Sequence, residues 1–358
     1  MRLAALSSVP VNITEALADI GIYTDADLVF GPSPHELVTR LPHGTVSLTA
    51  LQQAIETISA SASSIGVSLD NLLSTHASIP KGASTGVSEL DSLLGSAGFA
   101  PGRVYEISGG KGSGKTCLAL NTVLRQLTQD DTCHAWWVDT TGDFTAEKAL
   151  RVLEATTNDP LTTALERFEV ALAFDVNTMF DVLAAIRMTF RQTRFIVVDS
   201  IWALFNPLFS KFSAQGHAVM TDLMRQLRQC AEDLHLTVLV LNNSSSLKNR
   251  DGSKAETLSA FSATSRRPAL GPSFQFMTDA TLWLARAEDV IMDREDYAMH
   301  DIDEDNALEL VKDKPDRFVC EILRSRMSVP NTWCTFSIQD YAVRPAPDTH
   351  SIIHEPAV

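Results

Sequence analysis

The sequence is short of cysteine pairs, of long apolar runs and of basic residues, and each shortage excludes a class of protein. No two of the five cysteines form a C-x-x-C pair; they stand singly at Cys117, Cys133, Cys230, Cys320 and Cys334. This scatter predicts reduced thiols in an intracellular protein and argues against a disulfide framework or a zinc site. No apolar run is long enough to cross a bilayer, and the N-terminal run is too short to predict a signal peptide.

Basic residues are outnumbered by acidic ones, with 29 Lys and Arg against 44 Asp and Glu and a formal net charge of -15. A chain of this charge does not attract nucleic acid through its overall electrostatics. Any contact with DNA must therefore come from local basic loops.

The chain does contain enough apolar sequence for a sizeable core, because 45% of its 358 residues are hydrophobic. Residues 1–73 carry apolar residues at helical spacing, interrupted by Gly and Pro, and predict a small all-α domain. Residues 74–84 are small and polar, which is typical of a linker. Residues 85–342 alternate strand and helix patterns, which predicts an α/β core with a mostly parallel central sheet. The Pro-rich residues 343–358 predict a disordered tail.

The most informative segment is a glycine-rich loop with the pattern G-x-x-x-x-G-K-T. It consists of Gly109, Gly110, Lys111, Gly112, Ser113, Gly114, Lys115 and Thr116, and Cys117 follows it. The glycines allow successive backbone N–H groups to point at one spot and bind phosphate oxygens. In such a loop the lysine neutralises the β- and γ-phosphates and the Thr hydroxyl ligates Mg²⁺. The loop therefore predicts a nucleotide site with Mg²⁺.

The surroundings of the loop favour this interpretation over an ordinary glycine-rich turn. A strand pattern at residues 103–108 precedes it, and Cys117, Leu120, Leu124 and Leu127 share one helical face after it. In the order strand, loop, helix, the positive N-terminal end of the helix points at the phosphates.

A second part of the site is predicted at Asp199, which ends an apolar strand pattern. A carboxylate in this position holds Mg²⁺ together with the loop threonine, here Thr116. A capping aspartate at the end of a strand is the alternative interpretation. Asp139 and the pair Asn242–Asn243 end two further apolar strand patterns. Because ligands of a parallel sheet lie beyond the carboxyl ends of its strands, we expect these side chains near the phosphate loop.

Five segments resemble the core of the RecA/Rad-type recombinases and occur in that family's order. They are residues 84–116, 138–144 (VDTTGDF), 195–200 (FIVVDS), 239–243 (LVLNN) and 268–276 (PALGPSFQF). Within the family, residues 17–29 and 174–183 are most similar to the D-type paralogues of the eukaryotic recombinase. The resemblance implies a RecA-like P-loop core that binds ATP and Mg²⁺. It also implies that Asn243 stands where the family has its γ-phosphate sensor, usually Gln.

Two departures from the family pattern predict weak ATP hydrolysis. The family's D-x-E-G run begins here at Asp139 and reads D-T-T-G, so Thr141 stands where a glutamate activates the attacking water. A hydroxyl cannot accept a proton at neutral pH as a carboxylate does, and loss of a general base typically costs ~10²–10⁴ in rate. Asp143 is the nearest carboxylate that could substitute. Asn243 is one methylene shorter than Gln, which reduces its reach toward a phosphate.

The predicted linker lacks the phenylalanine with which filament-forming members of the family bind their neighbours, because no Phe lies between Ser61 and Ala83. A buried aromatic anchor commonly dominates the energy of such an interface. The resemblance therefore implies a hetero-oligomer with other recombinase paralogues, acting with the main recombinase, rather than self-polymerisation.

Two loops correspond to the family's DNA-binding loops. The first, residues 206–217, carries Lys211. The second, residues 244–270, carries Lys248, Arg250, Lys254, Arg266 and Arg267, and its Phe261 could stack on a base. A solvated surface loop is the alternative for both. The acidic segment 288–309 would repel DNA, so we expect a surface insertion that points away from it, and a partner-docking tail is the alternative.

Taken together, the resemblance implies a nuclear, ATP-binding subunit of a recombination-mediator complex. Such a subunit would bind single-stranded DNA and promote loading of the main recombinase during homologous-recombination repair. A DNA-stimulated ATPase that acts as a recombinase itself is the alternative. A small-molecule P-loop kinase would leave the helical N-terminal region unexplained. Glu106 lies inside a strand pattern, where a paired buried carboxylate is expected rather than a catalytic one.

Overall fold

The chain is organised as two compact units, Met1–Ser78 and Ile79–Val358. The computed structural model describes residue 3 and residues 10–42, 44–62, 66–77, 81–95, 97–156, 163–189, 192–209, 214–247, 259–261, 264–291 and 316–346. Among the helices in these ranges, none is both long and apolar enough to span a bilayer.

The first unit consists of short helices. They are α1 (Val11–Asp19), α2 (Asp25–Val29), α3 (Pro34–Arg40), α4 (Leu48–Ala62) and α5 (Leu69–Ala77). Two of them begin at capping boxes, formed by Thr24 with Asp27 and by Ser33 with Glu36. Such boxes satisfy N–H groups that the first helical turn leaves unbonded. Apolar side chains at helical spacing, among them Leu17, Leu28, Leu37 and Leu51, form its core.

The predicted linker begins too early. Helix α5 continues to Ala77, so residues 74–77 of the predicted linker are helical. The hydroxyl of Ser74 donates to the carbonyl oxygen of Asp70 at 2.9 Å, a bond that lets a serine sit inside a helix. Small polar residues therefore did not exclude a helix here.

The second unit is built, in its described residues, on a sheet of nine strands. They are β1 (Arg103–Gly109), β2 (His134–Asp139), β3 (Phe168–Leu172), β4 (Thr193–Asp199), β5 (Thr237–Asn242), β8 (Ala280–Arg286), β9 (Asp316–Ser325), β10 (Trp333–Gln339) and β11 (Ala342–Pro345). Their order across the sheet is β11-β10-β9-β8-β1-β5-β4-β2-β3. The strands from β8 to β3 in this order pair parallel, and β9, β10 and β11 pair antiparallel. The predicted α/β fold with a mostly parallel sheet is confirmed.

Helices cover both faces of the sheet and explain its apolar strands. They are α6 (Ser88–Leu93), α7 (Lys115–Gln129), α8 (Ala146–Thr156), α9 (Thr163–Glu166), α10 (Val176–Thr189), α11 (Ile201–Phe209), α12 (Ala214–Leu234), α13 (Pro272–Gln275) and α14 (Ala287–Val290). Leu124 of α7 belongs to the core on one face, and Leu227 of α12 belongs to the core on the other. Every residue of the central strand β5 is consequently buried. A separate two-stranded sheet pairs β6 (Ser244–Ser246) with β7 (Arg266–Pro268).

The predicted disordered tail also begins too early, because β11 extends through Pro345. Val343 is buried, pairs with Ile338 of β10, and donates its backbone N–H to Oδ1 of Asn121 at 3.1 Å. A buried apolar side chain and a long-range hydrogen bond thus hold residues that the proline content alone suggested would be free. Residues 347–358 lie outside the described part of the chain.

Candidate nucleotide-binding site

The phosphate loop joins the end of β1 to the start of α7, as its sequence context predicts. Gly112 and Gly114 adopt φ values of 77° and 86°, which L side chains rarely adopt. At Gly114 an added Cβ would also lie 2.7 Å from Cδ1 of Ile338. Both glycines are therefore required by the backbone path that brings the loop over the N-terminus of α7.

Lys115 is folded back against its own loop. Its Nζ donates to the carbonyl oxygens of Gly109 at 3.1 Å and Gly110 at 2.7 Å. Burial lowers the pKa of this ammonium to about 8, although attraction to Asp199 opposes the change and the charge of Arg266 adds to it. An anion beside Lys115 would favour its charged form. The side chain is thus placed to bind phosphate.

Thr116 and Asp199 form the second part of the site. The Thr116 hydroxyl donates to Oδ2 of Asp199 at 2.9 Å, so a hydroxyl and a carboxylate from α7 and β4 lie side by side. Burial raises the pKa of Asp199, while the Thr116 hydrogen bond and the charge of Lys115 oppose that rise. Hard oxygen donors are the ligands that Mg²⁺ prefers, and a divalent cation would favour the ionised carboxylate. These residues therefore fit a Mg²⁺ ion.

These groups line one cavity of about 860 Å³. Of the predicted nucleotide and metal residues it includes Gly109, Lys111, Gly112, Lys115, Thr116, Cys117, Asp199 and Asn243. Gly110, Ser113 and Gly114 line two adjoining cavities that share loop residues with the first. The loop residues, Asp199 and Asn243 therefore line this cavity or the two that adjoin it.

The carboxylate of Asp139 is hydrogen-bonded to the turn that follows it. Its carboxylate accepts the backbone N–H groups of Thr141, Gly142 and Phe144, each at 2.9 Å. Burial acts to raise the pKa of Asp139, but these hydrogen bonds outweigh it and the pKa is lowered. Such a carboxylate holds a loop in shape and is poorly suited to take a proton from water.

The position of the family's general base is occupied by an exposed threonine. Thr141 lines the cavity, and its hydroxyl donates to Oδ1 of Asp139 at 3.2 Å. Asp143 lines the same cavity, two residues after Thr141. The cavity thus combines Lys115, Thr116 and Asp199 with a hydroxyl, rather than a carboxylate, at position 141.

The two asparagines at the end of β5, Asn242 as its last residue and Asn243 as the next, have different surroundings. Asn243 is exposed and lines the cavity, whereas Asn242 is buried and donates from Nδ2 to Glu106 at 2.7 Å. Glu106 also accepts the hydroxyls of Ser108 at 2.7 Å and Thr281 at 2.9 Å, and burial raises its pKa. The prediction of a paired, buried Glu106 is confirmed. Asn242, predicted near the phosphates, belongs instead to this buried network.

The basic residues predicted to contact DNA fall into two groups. Lys211, Lys248, Arg250 and Lys254 lie outside the described residues. Arg266 and Arg267 both lie on β7, but only Arg266 lines the nucleotide cavity. Phe261 packs against the ring of Trp333 with centroids 5.0 Å apart. Its ring is thus already in contact with another aromatic side chain.

Tyr341 is a cavity residue that the sequence did not indicate. It lies in the turn between β10 and β11, and its carbonyl oxygen accepts Nδ2 of Asn121 at 2.7 Å. Arg151 lies over its ring at 5.5 Å from the centroid. No local pattern connects Tyr341 with α7, because only the sheet brings these distant segments together.

Comparisons with known proteins agree with this geometry. The Rad51 family model matches residues 81–289. DNA repair protein RAD51 homolog 4 of Mus musculus is 35% identical over 215 residues, which cover 56% of this chain and 60% of the mouse protein. Its Bos taurus counterpart is 31% identical over 296 residues, covering 79% of this chain and 84% of the bovine protein. The crystal structure of the RadB recombinase superposes with a TM-score of 0.54 at 23% identity, over 73% of this chain and 98% of that one, and supports the fold.

Proposed function

The chain belongs to the Rad51 family, and from that premise we propose that it is an ATP-binding recombinase paralogue acting in a recombination-mediator complex. Its role is homologous-recombination repair of DNA in the nucleus. The names of its relatives, which are DNA repair and recombination proteins, support this assignment. The single observation that carries it is the phosphate loop with Thr116 hydrogen-bonded to Asp199 at 2.9 Å.

ATP and Mg²⁺ are the proposed ligands of the cavity. Lys115 neutralises the β- and γ-phosphates, and the loop N–H groups hold their oxygens. Thr116 and Asp199 hold Mg²⁺, which when bound neutralises part of the charge on the triphosphate. In this proposal the nucleotide is chiefly a structural ligand, because Asp139 is occupied with its turn and Thr141 offers no base.

A competent ATPase is the second candidate, and one observation favours it. Asp143 lines the same cavity as Thr116 and Asp199. If its carboxylate reaches the attacking water, hydrolysis would proceed without a glutamate at position 141. Replacement of Asp143 by Asn tests this: an unchanged rate of phosphate release supports the structural role, and a fall of ~10²-fold or more supports the second candidate.

Partner subunits are proposed to bind the open edge of the sheet. Strand β3 is the last strand in the order, and its Val170 and Leu172, with Phe174 just beyond it, are 43%, 55% and 61% exposed. An edge strand with alternating exposed apolar side chains can accept another strand and its side chains. We propose that another recombinase paralogue binds here.

The partner proposal is tested by co-purification with candidate paralogues after co-expression. Leu172→Glu places a charge on the edge strand β3 and should abolish co-purification of one paralogue with the chain. Leu150→Glu, at an exposed leucine of α8, is the matched control and should leave recovery unchanged. Equal recovery with both variants, or no paralogue recovered with the wild type, would contradict the proposal.

Single-stranded DNA is the proposed ligand of the second loop. Arg267 is exposed on β7, and Lys248, Arg250 and Lys254 precede it in a Ser-rich stretch. Replacing the latter three by Ala should weaken binding and flatten its salt dependence, because fewer counterions are released. Fluorescence anisotropy with a labelled oligonucleotide measures both. An unchanged salt slope would remove the second loop from the proposal.

A further inference from the structure

The β6–β7 hairpin forms a wall of the phosphate site. Its strands pair antiparallel, with Ser244 opposite Pro268 and Ser246 opposite Arg266. A Cβ placed on Gly110 would lie 3.9 Å from Oγ of Ser244, so the hairpin lies directly beside the phosphate loop. Gly110 and Lys111 also share a cavity with the β7 side of the hairpin.

Arg266 is held so that it reaches into this site. Its Nε donates to Oγ of Ser244 at 2.6 Å and its Nη2 donates to the Ser244 carbonyl oxygen at 3.1 Å. A guanidinium has five N–H donors in a fixed planar fork, so donors remain for another acceptor. Arg266 lines the same cavity as Lys115 and Thr116. The guanidinium is thereby anchored on one side and directed toward the cavity on the other.

The electrostatics of the cavity indicate an anionic ligand for Arg266. Lys115 and Arg266 line the same cavity, so two positively charged side chains face one space. Two cations that face one cavity repel each other unless an anion lies between them. Arg267, the next residue of the strand, does not line this cavity.

We propose that Arg266 contacts the γ-phosphate of bound ATP and transmits the presence of that phosphate to the second loop. This inference rests on the proposed ATP site. Asn243 is one methylene shorter than glutamine, and Arg266 supplies a longer, charged donor from the opposite strand of the hairpin. ADP lacks the phosphate that this contact requires.

The hairpin connects Arg266 mechanically to the loop. The backbone N–H of Leu247 donates to the carbonyl oxygen of Ser265 at 2.9 Å, and the backbone N–H of Ala269 donates to the carbonyl oxygen of Asn243 at 2.9 Å. The basic loop therefore departs from and returns to a hairpin that is hydrogen-bonded at both ends. A shift of Arg266 toward a phosphate moves the strand on which the loop depends.

The test compares ATP and ADP affinities of the full chain carrying Arg266→Ala with those of the matched control Arg225→Ala, at an exposed arginine of α12 that does not line the cavity. Loss of a charge-assisted phosphate contact should weaken Mg²⁺–ATP binding about tenfold to a hundredfold. ADP binding by Arg266→Ala and both affinities of Arg225→Ala should stay within about twofold of the wild type. Equal losses for ATP and ADP, no loss for ATP, or the same loss in the control would overturn the proposal.

Two further variants separate contact from folding. Arg266→Gln keeps an amide donor for Ser244 without the charge and should lose ATP affinity as Ala does, whereas Arg266→Lys should recover part of it. Amide hydrogen exchange across residues 244–268 should be slower with ATP than with ADP in the wild type and equal in Arg266→Gln. Equal exchange in the wild type would refute the coupling. A wild-type chain that binds no nucleotide would instead refute the proposed ATP site itself.

Discussion

Replacing Thr141 by glutamate should restore ATP hydrolysis, because the rest of the site is present. Thr141 is exposed at the cavity that also contains Thr116 and Asp199. Its backbone N–H is fixed by Asp139 at 2.9 Å, so a longer side chain would extend into the cavity from a defined starting point. The Thr141 hydroxyl makes only a 3.2 Å contact with Asp139, so its removal costs little.

The expected gain follows from the usual contribution of a general base, ~10²–10⁴ in rate. Thr141→Glu should reach about 10²-fold, the lower end of that range, since no surrounding side chains have been arranged to orient it. Thr141→Gln introduces a side chain of nearly the same shape as that of Thr141→Glu, but one that cannot accept the proton. It is therefore the matched control. Phosphate release in single turnover, with the chain in excess over ATP, isolates hydrolysis from product release.

Thr141→Glu and Thr141→Gln could instead hydrolyse ATP at the same rate while binding it as tightly as the wild type. A missing general base would then not explain slow hydrolysis. That result would show that the slow step is not removal of a proton from water. A misplaced γ-phosphate or an absent partner subunit would then limit the reaction.

Three further predictions follow from the same geometry. ATP should bind more weakly as the pH rises through about 8, because Lys115 then loses its proton in the nucleotide-free chain. The affinity should fall by up to about tenfold per pH unit. The affinity of Lys115→Arg should depend little on pH, and binding titrations at several pH values measure both. Asp199→Asn should lose most of the increase in ATP affinity that Mg²⁺ provides, measured with and without the metal. Glu106→Ala leaves three buried donors without their acceptor and should lower the free energy of unfolding by about 3 kcal/mol or more in denaturant titrations, and Glu106→Gln by less.

The sequence revealed the parts of the site that depend on local order. A glycine loop between a strand and a helix, and a carboxylate at the end of an apolar strand, are short-range patterns with a direct physical cause. The parallel sheet then brings Thr116 and Asp199 together, because the carboxyl ends of its strands share one edge. The structure places both residues as that rule predicts.

The contributions that depend on long-range contact could not be foreseen. The carbonyl oxygen of Tyr341 accepts a hydrogen bond from Asn121 of α7, a contact between distant segments of the chain. The side chain of Asn242 donates to the buried Glu106 and so does not line the cavity. Arg266 looked like one basic residue among several in a DNA loop. Only the pairing of β6 with β7 shows that it faces the phosphate loop and its neighbour Arg267 does not. Such assignments need the partner strand, which sequence spacing alone does not identify.

The central claim is that the chain holds ATP and Mg²⁺ without readily cleaving ATP. The most direct test is to bind labelled ATP to the purified chain with Mg²⁺, separate the complex, and identify the nucleotide that remains bound over time. The claim predicts saturable binding that depends on Lys115, with most of the bound nucleotide still ATP after many minutes. Prompt conversion to ADP with phosphate release, at the rate of active recombinases and without any change at Thr141, would contradict it.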